Sequence, residues 1–168
     1  MSDRKTGFEP VVDDRTRLLV CGSLPGDASL QAAQYYAHPR NLFWHLIGHA
    51  AGIANLPALP YDDRLAALLD RGIGLWDVAR SASRRGSLDA AMRDIDHADL
   101  PALAARLPKL EAIGFNGATA AKIGPRMMAD SLRITLIDLP SSSPAHAAMT
   151  REQKQERWSA LSPWIACR

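Results

Sequence analysis

Short apolar runs alternate with amphipathic stretches along most of the chain. Four runs are almost continuously apolar and end at glycine, aspartate or proline turns: RLLVCG (17–22), IGLWDV (73–78), LEAIGF (110–115) and LRITLIDLP (132–140). A half-exposed strand would alternate apolar and polar residues, whereas a strand covered on both faces does not. The pattern therefore predicts four buried strands.

The stretches between these runs carry apolar residues at helical spacing. The predicted helices are NLFWHLIGHAAG (41–52), DRLAALLDRG (63–72), SLDAAMRD (87–94), DLPALAARLP (99–108), NGATAAKIGPRMMA (116–129) and TREQKQERWSALSPWI (150–165). Asn41 stands in N-cap position, and Thr150 with Gln153 has the spacing of a capping box. The segment ARSASRRGS (79–87) is predicted as a polar, basic loop.

Strands that alternate with helices predict an α/β fold. We expect a three-layer α/β/α sandwich with a four-stranded, mainly parallel central sheet. Residues 1–16 are charged and contain proline, which predicts a lead-in, and residues 17–168 are predicted as a single domain. Ligands of such folds bind beyond the carboxyl ends of the strands, so the loops that follow the four strands are the candidate site.

The composition excludes several classes of protein. The 168 residues are 47% hydrophobic and 23% charged, as in an ordinary globular domain. The net charge of +2 permits a nucleic-acid partner without requiring one. Two cysteines are too few for a four-cysteine zinc or iron–sulfur site, so no metal or cofactor is expected. No apolar run approaches membrane-spanning length and no signal peptide is evident, so we expect a cytoplasmic protein with no membrane partner.

Three of the loops place polar groups directly after a strand. Gly22, Ser23 and Leu24 begin a GSLPG turn, which either lets backbone amides approach a ligand or is a plain tight turn. Asp77 either accepts from a ring N–H or pairs with a loop arginine. Asn116 either contacts a base edge, because an amide donates and accepts, or caps a helix.

The fourth loop, PSSSPAHA (140–147), offers three hydroxyl groups and His146. These serines can hold a phosphate, supply a nucleophile with histidine as its base, or form a flexible turn; no Gly-x-Ser-x-Gly elbow supports the nucleophile. The basic loop adds a phosphate patch or a solvated charge cluster through the residues Arg80, Arg84 and Arg85.

Aromatic residues concentrate in QYYAHPRNLFWHLIG (34–48), although the chain is only 6% aromatic. Pro39 keeps the residue before it extended, which favours presenting the Tyr36 ring, while Phe43 and Trp44 are expected in the core. Asn41 is either a helix cap or a catalytic amide. Taken together, a stacking ring, amides, hydroxyls and backbone donors suit a flat hydrogen-bonding ring beside a phosphate, which is the chemistry of a nucleobase on its backbone.

Four segments in order carry a family resemblance: CGSLPGDASLQAAQYYAHPRNLFWHLIG, GIGLWDV, IGFNGATAAK and LPSSSPAHA. Over almost its whole length the chain resembles the uracil-DNA glycosylase superfamily, and most of all its hypoxanthine-DNA glycosylase group. The mismatch-specific uracil and thymine glycosylases are the nearest alternative. The resemblance implies a monofunctional enzyme that flips a deaminated base out of DNA and hydrolyses the N-glycosidic bond, acting as a monomer.

The resemblance also implies roles for particular residues. Leu24 stands where mismatch-type enzymes carry an asparagine, so the catalytic amide is expected at Asn41, which would position a water. The Gly22–Gly26 loop, Asp77 and Asn116 would hold the base, and Tyr36 would stack on it. The residues expected to contact DNA are Ser141, Ser142, Ser143, Ala145, His146 and Arg85. A DNA-binding module without the chemistry and an α/β serine hydrolase remain as alternatives.

Overall fold

The computed structural model of the chain describes residues 3–167, which form seven strands and six α-helices. The strands are β1 (Arg4–Thr6), β2 (Leu18–Gly22), β3 (Ile73–Asp77), β4 (Ala79–Ser83), β5 (Arg93–His97), β6 (Ala112–Asn116) and β7 (Thr135–Leu139). The helices are α1 (Asp27–Ala32), α2 (Phe43–Ala51), α3 (Tyr61–Asp70), α4 (Leu100–Ala105), α5 (Ala118–Met127) and α6 (Arg151–Trp158). Short 3₁₀ turns occupy Leu56–Ala58, Asp89–Ala91 and Ser159–Trp164.

The central sheet has the strand order β3-β2-β6-β7, and all of its pairs are parallel. This confirms the predicted four-stranded α/β/α sandwich. Leu18 and Val20 of β2 face one apolar cluster, which includes side chains of α2, α3 and α6. Leu19 and Cys21 face the other, which includes side chains of α4 and α5. Both faces of the strand are buried, which explains why its sequence is continuously apolar.

The capping box at the start of α6 is present as predicted. The Thr150 hydroxyl accepts from the Gln153 N–H at 3.1 Å, and the Gln153 side chain accepts from the Thr150 N–H at 2.8 Å. The prediction that Asn41 is the N-cap of α2 is wrong by one residue, because Leu42 occupies that position. Asn41 nevertheless serves the helix start, since its Oδ1 accepts from the Phe43 N–H at 2.9 Å.

A second, antiparallel sheet with the order β1-β4-β5 was not predicted. The predicted polar loop 79–87 forms β4 over its first five residues. The predicted helix 87–94 is only a 3₁₀ turn at Asp89–Ala91, and β5 follows it. Strand β5 has the sequence RDIDH and is largely exposed, so it has no apolar run by which its sequence could indicate a strand.

Part of the predicted lead-in contributes a strand to the antiparallel sheet and a β-bridge to the central sheet. Arg4–Thr6 pairs with β4, with Lys5 opposite Ala82. Val11 forms an antiparallel bridge to Leu75 of β3 and exchanges two backbone hydrogen bonds of 2.9 Å with it. These contacts fix the segment against the sheet edge.

The carboxyl ends of the parallel strands bring the predicted loops together. Gly22 is the last residue of β2 and pairs with Asp77, the last residue of β3. Asn116 is the last residue of β6 and pairs with Leu139 at the end of β7. Three of the predicted site residues are therefore adjacent at one edge of the sheet.

Candidate active site

A cavity of about 500 Å³ opens at this carboxyl edge of the central sheet. Its wall is formed by residues 22–29, Tyr35, Tyr36, His38, Asn41, Asp77, 87–89, 116–119 and 141–146. Every predicted site residue lies in this wall except Arg85. The Arg85 side chain is 91% exposed and its Nε lies 3.3 Å from the carboxylate of Asp3. The structure thus gathers four separate loops around one cavity, as the strand topology predicted.

The floor of the cavity is built by Gly22, Asp77 and Tyr36. A Cβ atom on Gly22 would lie 2.8 Å from Asp77 Oδ1 and 2.9 Å from the Tyr36 hydroxyl. Only glycine lets these two side chains come this close to the strand end. Tyr36 has a left-handed backbone with φ 54°, and its ring stacks on Phe43 at 3.9 Å and 16°. This stacking fixes the Tyr36 ring at the floor.

Two polar atoms of this floor have no hydrogen-bond partner among the described residues. They are the Tyr36 hydroxyl and Asp77 Oδ2, and both are shielded from solvent by protein. Burial raises the pKa of the Asp77 carboxyl to about 7; the nearby Asp89 carboxylate adds to the rise and Arg84 opposes it. Burial likewise raises the pKa of Tyr36. The predicted pairing of Asp77 with a loop arginine is absent from the described structure, because Arg84 pairs with Asp89 instead.

Arg84 shapes the first loop instead of binding phosphate. Its side chain is fully buried, and it donates to the carbonyls of Leu24 at 3.5 Å, Pro25 at 2.5 Å and Gly86 at 3.0 Å. Its guanidinium also lies 3.8 Å from Asp89 Oδ1. The interpretation of Arg84 as part of a phosphate patch or a solvated cluster is therefore wrong. An arginine between Ser83 and Arg85 in a polar segment gave no sequence signal for burial.

Asp89 is a site residue that sequence reasoning missed. Its Oδ1 accepts from the Ser23 hydroxyl at 2.7 Å, and burial raises its pKa. The Leu24 side chain, next along the loop, packs with Ala79, Ala82 and Met92 beneath the cavity wall. Since 66 residues separate Ser23 from Asp89, only the fold brings this pair together.

Asn116 and Ser142 hold two loops together. Asn116 Oδ1 accepts from the Ser142 N–H, and its Nδ2 donates to the Ser142 hydroxyl, both at 2.9 Å. The Ser142 carbonyl in turn accepts from the Leu42 N–H at 3.0 Å, which ties the serine loop to the start of α2. Ser142 is 1% exposed, so its side chain is buried against Asn116 in this structure, and its contact with a DNA phosphate stays a prediction. Asn116 keeps one N–H and one lone pair available for a base.

The rest of the serine loop is braced by its own side chains. The Ser141 hydroxyl accepts from the Ser143 N–H at 3.1 Å, and the Ser143 hydroxyl accepts from the Ala145 N–H at 3.2 Å. Lys154, which sequence reasoning also missed, is buried and donates from Nζ to the His146 carbonyl at 2.8 Å. No serine hydroxyl of this loop bonds to an imidazole within residues 3–167, which removes the geometry expected of a serine hydrolase.

Asn41 lies in the cavity wall, and its side-chain oxygen is bonded to the start of α2. Its Oδ1 must face the Phe43 N–H, because that donor needs an acceptor, and this fixes the orientation of the amide. The backbone N–H of Asn41 donates to the backbone carbonyl of His38 at 2.9 Å, which closes the turn around Pro39. Within the described chain, Nδ2 has no hydrogen-bond partner. One lone pair of Oδ1 and both Nδ2 hydrogens therefore remain for a ligand or a water.

The cavity wall also carries an exposed apolar side chain. Leu88 is 61% exposed and lines the cavity mouth. Its loop is held by the Ser87 hydroxyl, which accepts from the Asp27 N–H at 2.9 Å, and by the Arg84 contact to Gly86. Residues 3–167 contain no cluster of three or more His, Cys, Asp or Glu side chains that could hold a metal ion. Their helices are all too short or too polar to cross a membrane.

Comparisons with known proteins agree with this geometry. The profile of the uracil DNA glycosylase superfamily matches residues 9–162. A hypoxanthine DNA glycosylase of Methanosarcina acetivorans is 40% identical over 94% of this chain and 97% of its own length. One of Methanosarcina barkeri is 38% identical over 90% of this chain and 94% of its own length.

The fold is also shared with a solved structure. The solution NMR structure of a protein of Methanosarcina acetivorans, described as a candidate uracil DNA glycosylase, has a TM-score of 0.82 and 38% sequence identity to this chain. The match covers 95% of this chain and 96% of the other. On sequence, fold and the composition of its cavity, the chain belongs to the uracil DNA glycosylase superfamily.

Proposed function

We propose that the protein is a monofunctional DNA glycosylase of base-excision repair that releases hypoxanthine and leaves an abasic site. The observation that carries the proposal is its identity of 40%, over nearly the whole chain, to a protein named hypoxanthine DNA glycosylase. The cavity of about 500 Å³ falls in the range of small-molecule sites. A base inside a DNA stack is out of reach, so the enzyme must flip it into this cavity.

The reaction breaks the C1′–N9 bond, and the bonding electron pair leaves with the base. A water oxygen then bonds to C1′ and loses one proton to solvent, and the released base anion takes up one proton from solvent. Asn41 positions this water through the free lone pair of Oδ1 and through Nδ2. A neutral amide is a poor base, but a sugar with advanced cationic character needs little from its nucleophile beyond position.

The departing base carries negative charge, so hydrogen-bond donors around it lower the barrier. The backbone N–H groups of Ser23 and Leu24 donate to no other described residue, and they lie in the cavity wall. Together with the remaining N–H of Asn116, they are the donors we assign to the leaving base. Tyr36, already stacked on Phe43, would offer its ring to the base.

The two rims of the cavity would contact the DNA strand on either side of the flipped nucleotide. Ser141 and Ser143 would bind the flanking phosphate, with Ala145 and His146 beside the gap that the base leaves. Arg85, which is 91% exposed, would add a phosphate contact outside the cavity. We expect the protein to act as a monomer on DNA in the cytoplasm.

The test is single-turnover base release from duplexes that each contain hypoxanthine, uracil, xanthine or adenine at one position. Mass spectrometry of the free base and alkaline cleavage of the abasic strand would measure the product. We expect fast release of hypoxanthine and none of adenine. Fast uracil release with little hypoxanthine would move the protein to the mismatch-type group. Tight binding to inosine duplex without release of the base would identify a DNA-binding module without catalysis. The apolar Leu24 in the first loop, where mismatch-type enzymes carry an asparagine, favours this alternative.

A further inference from the structure

Two polar groups at the cavity floor point to a partner that the protein itself does not provide. Asp77 is 4% exposed, and its Oδ2 has no hydrogen-bond partner in residues 3–167. The Tyr36 hydroxyl likewise has no hydrogen bond of ordinary geometry, although the Asn116 side chain lies near it. A Cβ on Gly22 would lie 2.8 Å from the other Asp77 carboxyl oxygen, Oδ1, and 2.9 Å from the Tyr36 hydroxyl. Since an unpartnered buried polar group is costly, this arrangement indicates that a ligand completes it.

The surroundings of Asp77 disfavour its ionised form. The groups that titrate or carry charge around it are Cys21, Tyr35, Tyr36, Arg84 and Asp89, and the cavity wall adds His38 and His146. Only Arg84 is a fixed cation, and it is committed to Asp89 and to three backbone carbonyls. Asp89 places a second carboxylate nearby. A carboxyl group in such a site takes up a proton and becomes a hydrogen-bond donor.

We propose that Asp77 is an un-ionised acid in the working enzyme and donates a hydrogen bond to the O6–N7 edge of a flipped 6-oxopurine. This inference rests on the proposed glycosylase function and extends it to the substrate class. The hydrogen bond stabilises the negative charge that gathers on the base as the C1′–N9 bond breaks. An ionised Asp77 would instead repel the departing base.

The same hydrogen bond selects the substrate. Hypoxanthine presents an oxygen at position 6, which accepts from the Asp77 carboxyl. Adenine presents an amino group there, so a donor would face a donor, and the mismatch costs about 10- to 100-fold in rate. The proposal therefore assigns Asp77 both to leaving-group stabilisation and to the rejection of adenine.

The experiment is the pH dependence of single-turnover hypoxanthine release by the wild type, Asp77→Asn and Asp77→Ala between pH 5.5 and 9. The wild-type rate should fall about tenfold per pH unit above a midpoint near 7. Asp77→Asn keeps a permanent donor of the same shape, so its rate should stay level through this range. Asp77→Ala should be slow at every pH. Should Asp77→Ala not fold, the comparison of wild type with Asp77→Asn alone still decides.

A further variant separates Asp77 from the other titrating groups. Asp89→Asn keeps an acceptor for the Ser23 hydroxyl but removes the nearby charge, so the midpoint should move to lower pH. An alkaline fall that persists unchanged in Asp77→Asn would overturn the proposal and point to His38 or His146. A wild-type rate that rises through pH 7 would also overturn it, since an ionised acceptor would then be required. If the wild type releases no hypoxanthine at any pH, the proposed function fails first.

Discussion

Asp77 should make the stability of the protein depend on pH in a specific direction. The ordinary pKa of an aspartate side chain is 3.8, and burial raises the pKa of Asp77 in the folded protein to about 7. Because the folded state holds this proton more tightly than the unfolded state, stability falls as the pH rises from about 4 to 7 and is lowest above 7. At about 1.4 kcal/mol per pH unit, the stability lost to ionisation of Asp77 is roughly 2 kcal/mol at pH 5 and roughly 4 kcal/mol at pH 8.

Asp77→Asn removes this loss of stability while it keeps the shape of the side chain. The free energy of unfolding of Asp77→Asn relative to wild type should therefore increase by about 2 to 3 kcal/mol between pH 5 and pH 8. Urea unfolding followed by tryptophan fluorescence measures both proteins at both pH values. Asp130→Asn, which changes an exposed carboxylate, is the matched control and should show no such increase. A stability difference that is equal at pH 5 and pH 8 would show that burial does not raise the pKa of Asp77 in the folded protein.

Three further predictions follow from the cavity and its rims. Gly22→Ala adds a Cβ within 2.9 Å of two floor side chains. Base release in a single-turnover assay should therefore fall at least about 100-fold. DNA affinity, measured by fluorescence anisotropy, should change little. Leu88→Ala removes the exposed apolar side chain at the cavity mouth, and base release from duplex should fall more than release from single strands. Leu132 is also exposed but lies outside the cavity wall, so Leu132→Ala should change neither rate. Lys154→Met removes the hydrogen bond to the His146 carbonyl. DNA affinity, measured by anisotropy, should weaken about tenfold, while the rate of base release at saturating enzyme stays within about threefold. An unchanged affinity would show that the serine loop does not depend on this hydrogen bond.

Much of the fold was predictable because its strands are buried on both faces. The runs at 17–22 and 110–115 each contain a parallel strand, since burial on both sides leaves no polar alternation to misread. Strands β4 and β5 were missed for the opposite reason. They form a small sheet whose exposed positions carry Arg80, Asp94 and Asp96, and a charged run resembles a loop.

The site shows the same division between local and long-range information. The cavity could be placed from sequence because the loops after parallel strands meet at one edge of the sheet. The roles of Arg84, Asp89 and Lys154 could not be predicted, since each depends on partners that only the folded chain brings near. Ser142 is one of three consecutive serines, and nothing in the sequence distinguishes it as the one that hydrogen-bonds to Asn116 and is buried.

Asn41 is the residue on which the proposed chemistry depends, and its two functions can be separated. Asn41→Ala loses both the amide and the acceptor for the Phe43 N–H, with an expected stability cost of about 0.5–2 kcal/mol. Asn41→Ser loses the amide but keeps an oxygen that can accept from this N–H. His49→Ala, an exposed change on the same helix, is the matched control.

The most direct test is single-turnover hypoxanthine release by these variants at saturating enzyme, with inosine-duplex affinity measured in parallel. We expect Asn41→Ser and Asn41→Ala both to lose about 100-fold or more in rate, while duplex affinity stays within a few-fold and His49→Ala matches the wild type. A wild-type rate in Asn41→Ser would contradict this expectation, because Asn41 would then be a helix-start residue and the water would be positioned by another group.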